Sequence, residues 1–126
     1  MGLPDNKVCI IVEGWHDYDK IKSVFPNFEG IIVLGGTRFD RVIRKEINDK
    51  LNDEYDIWVM SDPDDAGDWI AHRIMSYYHP LIQRIKVDPK EGSSCNSGFC
   101  RTRYGVEYCS KSYIYKILNP IISGVS

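Results

Sequence analysis

No apolar stretch in the 126 residues approaches the ~20 needed to cross a bilayer, so nothing in the sequence reads as a membrane span. The opening residues, Met1 to Lys7, have neither the basic start nor the apolar core of a secretory signal. Four cysteines (Cys9, Cys95, Cys100, Cys109) without such a signal suit a reducing cytoplasm better than a disulfide scaffold. Nor is there an excess of positive charge: a net charge of −2 excludes a chain coated in basic residues for nucleic acid. Internal repeats and composition breaks are missing too. The reading is one domain over 1–126, with a core at about 7–118, a long polar loop at 88–105 and a short apolar tail at 119–126.

Charge is uneven along the chain. Between Gln83 and Lys116 seven cations face three acids, which leaves that segment at +4 and the remainder at −6. Lys7 to Val12 is a continuous apolar run rich in β-branched residues, as expected of a strand covered on both faces. Gly30 to Leu34 and Ile57 to Ser61 have the same character, and Leu81 to Val87 reads as a fourth strand. Between them lie helical patterns: Asp17 to Phe25, a helix capped by Thr37 with Phe39, Val42, Ile43, Ile47 and Leu51 inward, and Ala66 to Tyr78 with Ile70, Ile74, Tyr77 and Tyr78 inward. A last helix, capped by Ser110 and carrying Tyr113, Ile114, Ile117 and Leu118, stops at Asn119-Pro120. Strand–helix alternation of this kind defines an α/β fold with a mainly parallel sheet of about four strands between helices.

What stands at the strand ends is unusual for a plain scaffold. The first ends in Glu13-Gly14, the second in Gly35-Gly36, the third in Asp62-Pro63-Asp64 with Gly67 beyond. In a parallel sheet these ends share one edge, where open α/β folds build their sites. Glu13 should therefore meet Asp62 and Asp64 despite the gap in sequence. Carboxylates gathered there repel, and a hard divalent cation resolves the conflict. Mg²⁺, or Mn²⁺ in its place, takes oxygen ligands from one or two carboxylates plus phosphate oxygens. A solvated Asp-Pro turn that opens a helix would use the same aspartates.

Val12-Glu13-Gly14-x-x-Asp17, then Gly35-Gly36, then Asp62-Pro63-Asp64-x-x-Gly67 resembles the Toprim domain of topoisomerases, primases and some nucleases. Within it the nearest likeness is to the Toprim domain of ribonuclease M5, the bacterial 5S ribosomal RNA maturase, and to small stand-alone Toprim proteins. Tyr104 to Ser110 is similar to that ribonuclease's Gly-Val-Glu-His-Ala-Ser segment, and the resemblance runs from about Lys7 to Leu118. It implies a four-stranded parallel Toprim sheet and Mg²⁺ held by Glu13, Asp62 and Asp64, with Glu13 as ligand or general acid/base. It also implies Asp17 and Glu107 near the site, beside Gly14, Gly35, Gly36 and Gly67. The expected activity is phosphodiester chemistry on nucleic acid, RNA more than DNA, in the cytoplasm, with a protein partner able to supply substrate recognition. Lys90, Arg101 and Arg103 are the candidate phosphate contacts.

The chain departs from that pattern at Trp15, where a basic residue is usual, at His16, and at Ala71, where an arginine is usual. It does not extend over the ribonuclease's further C-terminal domain. A catalytically silent module that binds nucleic acid or a protein is the alternative these departures raise. A phosphoacceptor domain also clusters acids at strand ends, but it wants two acids after its first strand and a lysine after a fifth. Cys95, Cys100 and Cys109 would need a fourth ligand to hold zinc, and none is evident.

Overall fold

A computed structural model describes residues 7–91 and 105–124. The strands are β1 (Val8–Val12), β2 (Ile31–Val33), β3 (Asp56–Val59) and β4 (Ile82–Arg84), all parallel, in the order β2-β1-β3-β4. The helices are α1 (Trp15–Val24), α2 (Arg41–Asn52), α3 (Asp65–Tyr77) and α4 (Lys111–Ile122), with a 3-10 turn at Val106–Tyr108. The four parallel strands between helices are those expected from the sequence.

All five residues of β1 are buried, because the strand is paired on both sides and covered on both faces. Alternation divides them. Cys9 and Ile11 join Ile43, Ile47, Ile70 and Ile74 in the core under α2 and α3. Val8, Ile10 and Val12 join Ile21, Ile114 and Leu118 in the core under α1 and α4. The chain leaves β1 through α1 toward β2 on one side, and leaves β3 through α3 toward β4 on the other. Beyond the carboxyl ends of β1 and β3 the strand order therefore reverses, which opens a crevice.

Local boundaries differ from the expected ones in instructive ways. Asp40, not Thr37, caps α2: its Oδ1 accepts the Ile43 N–H at 3.0 Å, and Thr37 is exposed. Val42 and Tyr77, expected inward, are 59% and 62% exposed, because Ile43, Ile47, Ile70 and Ile74 already fill the space beneath the two helices. Helix α1 starts at Trp15 because the Asp17 side chain closes its first turn from inside. Helix α4 continues through Pro120 to Ile122. Proline removes one hydrogen bond and crowds the carbonyl four residues back, and the packing of Ile121 and Ile122 on the α1–α4 core offsets this. The fourth strand is shorter than the apolar run that announced it, with Leu81 61% exposed.

The cap assignment has a direct check: Asp40→Ala should lower the melting temperature, whereas Thr37→Ala should leave it unchanged. Equal effects from the two would contradict it.

Candidate functional site

The crevice is held together by bonds between segments far apart in sequence. The Glu13 carboxylate accepts the Asp62 backbone N–H at 2.6 Å across 49 residues. The Glu13 carbonyl accepts the N–H groups of Gly35 at 2.9 Å and Gly36 at 2.8 Å, fastening the turn after β2 to the end of β1. Gly35 and Gly36 have φ of +76° and +116°, and a Cβ there would meet nothing, so glycine is needed for conformation rather than for room. Asp62 in turn accepts the Val106 N–H on Oδ1 at 3.0 Å, which brings the Gly105-Val106-Glu107 segment to the same edge.

Asp64 caps α3, its Oδ1 accepting the Gly67 N–H at 2.7 Å. A Cβ on Gly67 would lie 1.9 Å from the Asp62 carbonyl oxygen, so only glycine lets the helix start against this turn. Buried Ser61 donates to the Gly67 carbonyl at 2.8 Å and pins the turn from below. Asp17, 6% exposed, accepts the Gly14 N–H at 3.0 Å. Glu13, Asp62 and Asp64 thus each have one carboxylate oxygen fixed by a backbone N–H, and the second is left for another ligand.

A shallow cleft of about 270 Å³ is lined by Glu13, Gly14, His16, Asp17, Gly36, Asp62 and Glu107. Two larger clefts lie elsewhere, one beside Arg84 and Lys86 and one beside Phe39 and Trp69, but neither gathers carboxylates. Of the residues expected at the edge, Asp64, Gly35 and Gly67 frame the cleft without lining it. Lys90 lies near Asp88, whose carboxylate accepts its backbone N–H. Arg101, Arg103, Cys95 and Cys100 fall outside the described residues. Cys109 is 1% exposed and burial pushes its thiol up to about 11, so it belongs to the core. His16 is turned toward Glu107, with Nδ1 3.7 Å from Oε2, rather than toward Glu13.

Electrostatically the cleft is under strain. Burial raises Glu13 to about 7, and the charges of Asp62, Asp64 and Asp17 add to the rise against the Asp62 N–H. Burial, followed by the Asp62 charge, raises Asp17 to about 7. Asp62 is also raised, chiefly by burial, against the Val106 N–H it accepts and with the Asp64 charge adding to the rise. Among the described residues none of Glu13, Asp17, Asp62 and Asp64 has an ion pair.

Arg84, which the sequence did not single out, reaches the back of the turn. It donates to the Asp62 carbonyl at 3.2 Å, but its charge is matched by Asp68 at 2.7 Å. A cation in the middle of the Leu81 to Val87 run was the available signal for it. Among the described residues no group of three His, Cys, Asp or Glu already stands at metal-holding distances. The donor set is nevertheless all carboxylate oxygen, half-buried and short of positive charge, which fits a hard cation held by one or two carboxylates and completed by water and phosphate.

The Toprim domain profile matches residues 8–90, and the chain belongs to the Toprim domain family. Among curated relatives, a ribonuclease M5 of Mycoplasma mycoides subsp. mycoides SC is 29% identical over 118 residues, covering 92% of this chain and 62% of that protein. The chain thus spans less than two thirds of that relative's length. Among solved structures, a small TOPRIM domain protein from Bacillus stearothermophilus is similar in fold, with a TM-score of 0.66 at 19% identity over 94% of this chain and 91% of that one.

Two outcomes follow for the site. Glu13 and Asp17 titrate near 7 when folded but at about 4.5 and 3.8 when unfolded, so the folded protein binds more protons between those values. Their contribution to stability is complete below the unfolded values and is lost as pH rises through about 7. In EDTA, Glu13→Gln should therefore gain melting temperature relative to the parent on going from about pH 5 to about pH 7.5; a difference that stays constant across that range contradicts the shift. Gly67→Ala should destabilise by at least ~1–3 kcal/mol through the clash with the Asp62 carbonyl, read by chemical denaturation, whereas a neutral change would mean the turn yields freely.

Proposed function

We propose that this chain is a Toprim nuclease that uses Mg²⁺, with Mn²⁺ as a substitute, to cleave phosphodiester bonds of nucleic acid, structured RNA ahead of DNA. The observation that carries the reading is the 2.6 Å bond from the Asp62 N–H to the Glu13 carboxylate, which joins two acids at the reversal point of the sheet. Glu13, Asp62 and Asp64 would hold the ion through the carboxylate oxygens that the backbone leaves open. When bound, the ion supplies Lewis acidity and counter-charge to phosphate oxygens.

The remaining work falls to the chain itself. Glu13, raised to about 7, is poised to accept or return a proton near neutral pH. Asp17 fixes Gly14, and Gly14, Gly35 and Gly36 keep the rim low enough for a nucleic-acid backbone to approach. Lys90, Arg101 and Arg103 would contact phosphates on the flank, and Glu107 would orient His16 at the mouth. RNA is favoured because the matched relative is a ribonuclease M5, and structured ribosomal RNA in the cytoplasm is the substrate class that follows. A protein partner that supplies further substrate recognition belongs to the same reading.

A second reading is a silent module that binds nucleic acid or protein without turnover. Ala71 at the position of the usual arginine favours it, as does the absence of a ready three-ligand group among the described residues. One assay separates the two: the pure protein with structured RNA and with DNA, with and without Mg²⁺ or Mn²⁺. Cleavage that needs the ion and falls at least ~100-fold in a folded Asp62→Asn variant is expected. Binding with no metal-dependent cleavage would leave the silent module.

A further inference from the structure

Away from the acids, the outer faces of α2 and α3 carry an assembly of rings and guanidinium groups. Phe39, 6% exposed, forms its floor. Trp69 and Tyr77 form its wall and are 53% and 62% exposed. Arg44 lies 5.6 Å from the Phe39 ring centre and 5.8 Å from that of Tyr77, and Arg73 lies 5.7 Å from Phe39 and 5.3 Å from Trp69. Phe39 and Tyr77 meet edge to face at 5.3 Å. Together they bound an open groove of about 520 Å³.

Packing alone does not account for this face. The core beneath is complete without Trp69 and Tyr77, and both leave large apolar surface in water. No Asp or Glu lines the groove, and among the described residues neither Arg44 nor Arg73 has an ion pair. Arg44 donates to the Phe39 carbonyl at 3.0 Å, but neither guanidinium meets a carboxylate in the groove, which leaves positive charge for an anionic occupant, and exposed rings call for flat apolar ones. Unstacked nucleobases on a phosphate backbone answer both, since bases stack on aromatic rings and on guanidinium planes alike. Trp69, Arg73 and Tyr77 recur every four residues on α3, so they form one row with steps of roughly 6 Å. The row runs along the helix that Asp64 caps, and Phe39 follows the glycine turn bonded to Glu13, so both sides of the groove lead back to segments of the acidic edge.

We infer that the α2–α3 groove binds a single-stranded nucleic-acid segment, by stacking on Trp69 and Tyr77 and by phosphate contact with Arg44 and Arg73. The inference rests on the nucleic-acid reading above and assigns the groove to the strand that leads to or from the acidic cleft.

The test keeps the two separate. A fluorescein-labelled single-stranded oligoribonucleotide of about ten nucleotides is titrated in EDTA into full-length Asp62→Asn protein, and into the same protein carrying Trp69→Ala or Arg73→Ala. Each added substitution should weaken binding at least about fivefold with the melting temperature unchanged. Arg73→Ala should also flatten the dependence of log K on log salt by about 0.7. Binding as tight as in Asp62→Asn alone, or no binding by any of the three proteins, overturns the groove while Asp62-dependent cleavage still supports the nuclease. Weakened binding alongside cleavage that ignores Asp62 retains the groove and removes the nuclease reading. If Trp69→Ala instead splits a self-associated protein in sedimentation and leaves oligonucleotide affinity intact, the face belongs to a second copy and the inference fails.

Discussion

A short hydrogen bond between the Asp62 N–H and the Glu13 carboxylate ties the end of β3 to the end of β1, and the rest of the edge is arranged around it. It is demanding because a carboxylate is drawn into a half-buried position beside other carboxylates. The fold meets the demand with backbone groups rather than cations. Asp62 receives Val106, Asp64 receives Gly67, and Asp17 receives Gly14. Backbone donors orient an acid without neutralising it, which leaves a cleft that is ordered and still short of positive charge.

That arrangement explains why glycine recurs at the edge for different reasons. Gly35 and Gly36 supply a backbone shape that other residues adopt only under strain, while Gly67 supplies clearance against the Asp62 carbonyl. It also explains Arg84. The guanidinium steadies the turn from behind through the Asp62 carbonyl, and its pairing with Asp68 keeps it from cancelling the acids in front.

The sheet was legible because its strands are short, continuously apolar and separated by helical periodicity; β1 is buried throughout, as its composition demands. The meeting of Glu13 with Asp62 was legible as well, since parallel neighbours must end on one edge. The cap of α4 was legible at Ser110, which accepts the Tyr113 N–H, but that of α2 was not, because Thr37 and Asp40 are both good cap residues and only the path of the chain chooses between them. Val42 and Tyr77 fit the helical period yet point outward, for periodicity marks a stripe and not its edges. The helix-opening role that the Asp-Pro turn suggested was legible too, and it falls to Asp64. The bond from Val106 to Asp62 spans 44 residues and leaves no local trace. Nor does any spacing rule join Phe39 to Trp69 and Arg73, which meet only once α2 and α3 lie side by side.

Strand β1 is bonded to a neighbour on each side and shielded above and below, so its amides can exchange with solvent hydrogen only when the domain opens as a whole. Glu13 is the residue immediately beyond that strand. Its backbone is anchored to the best-protected strand of the sheet, while Gly35 and Gly36 beside it are exposed. The acid is thus fixed to the part of the domain that opens last, and the rim hangs from it by two hydrogen bonds.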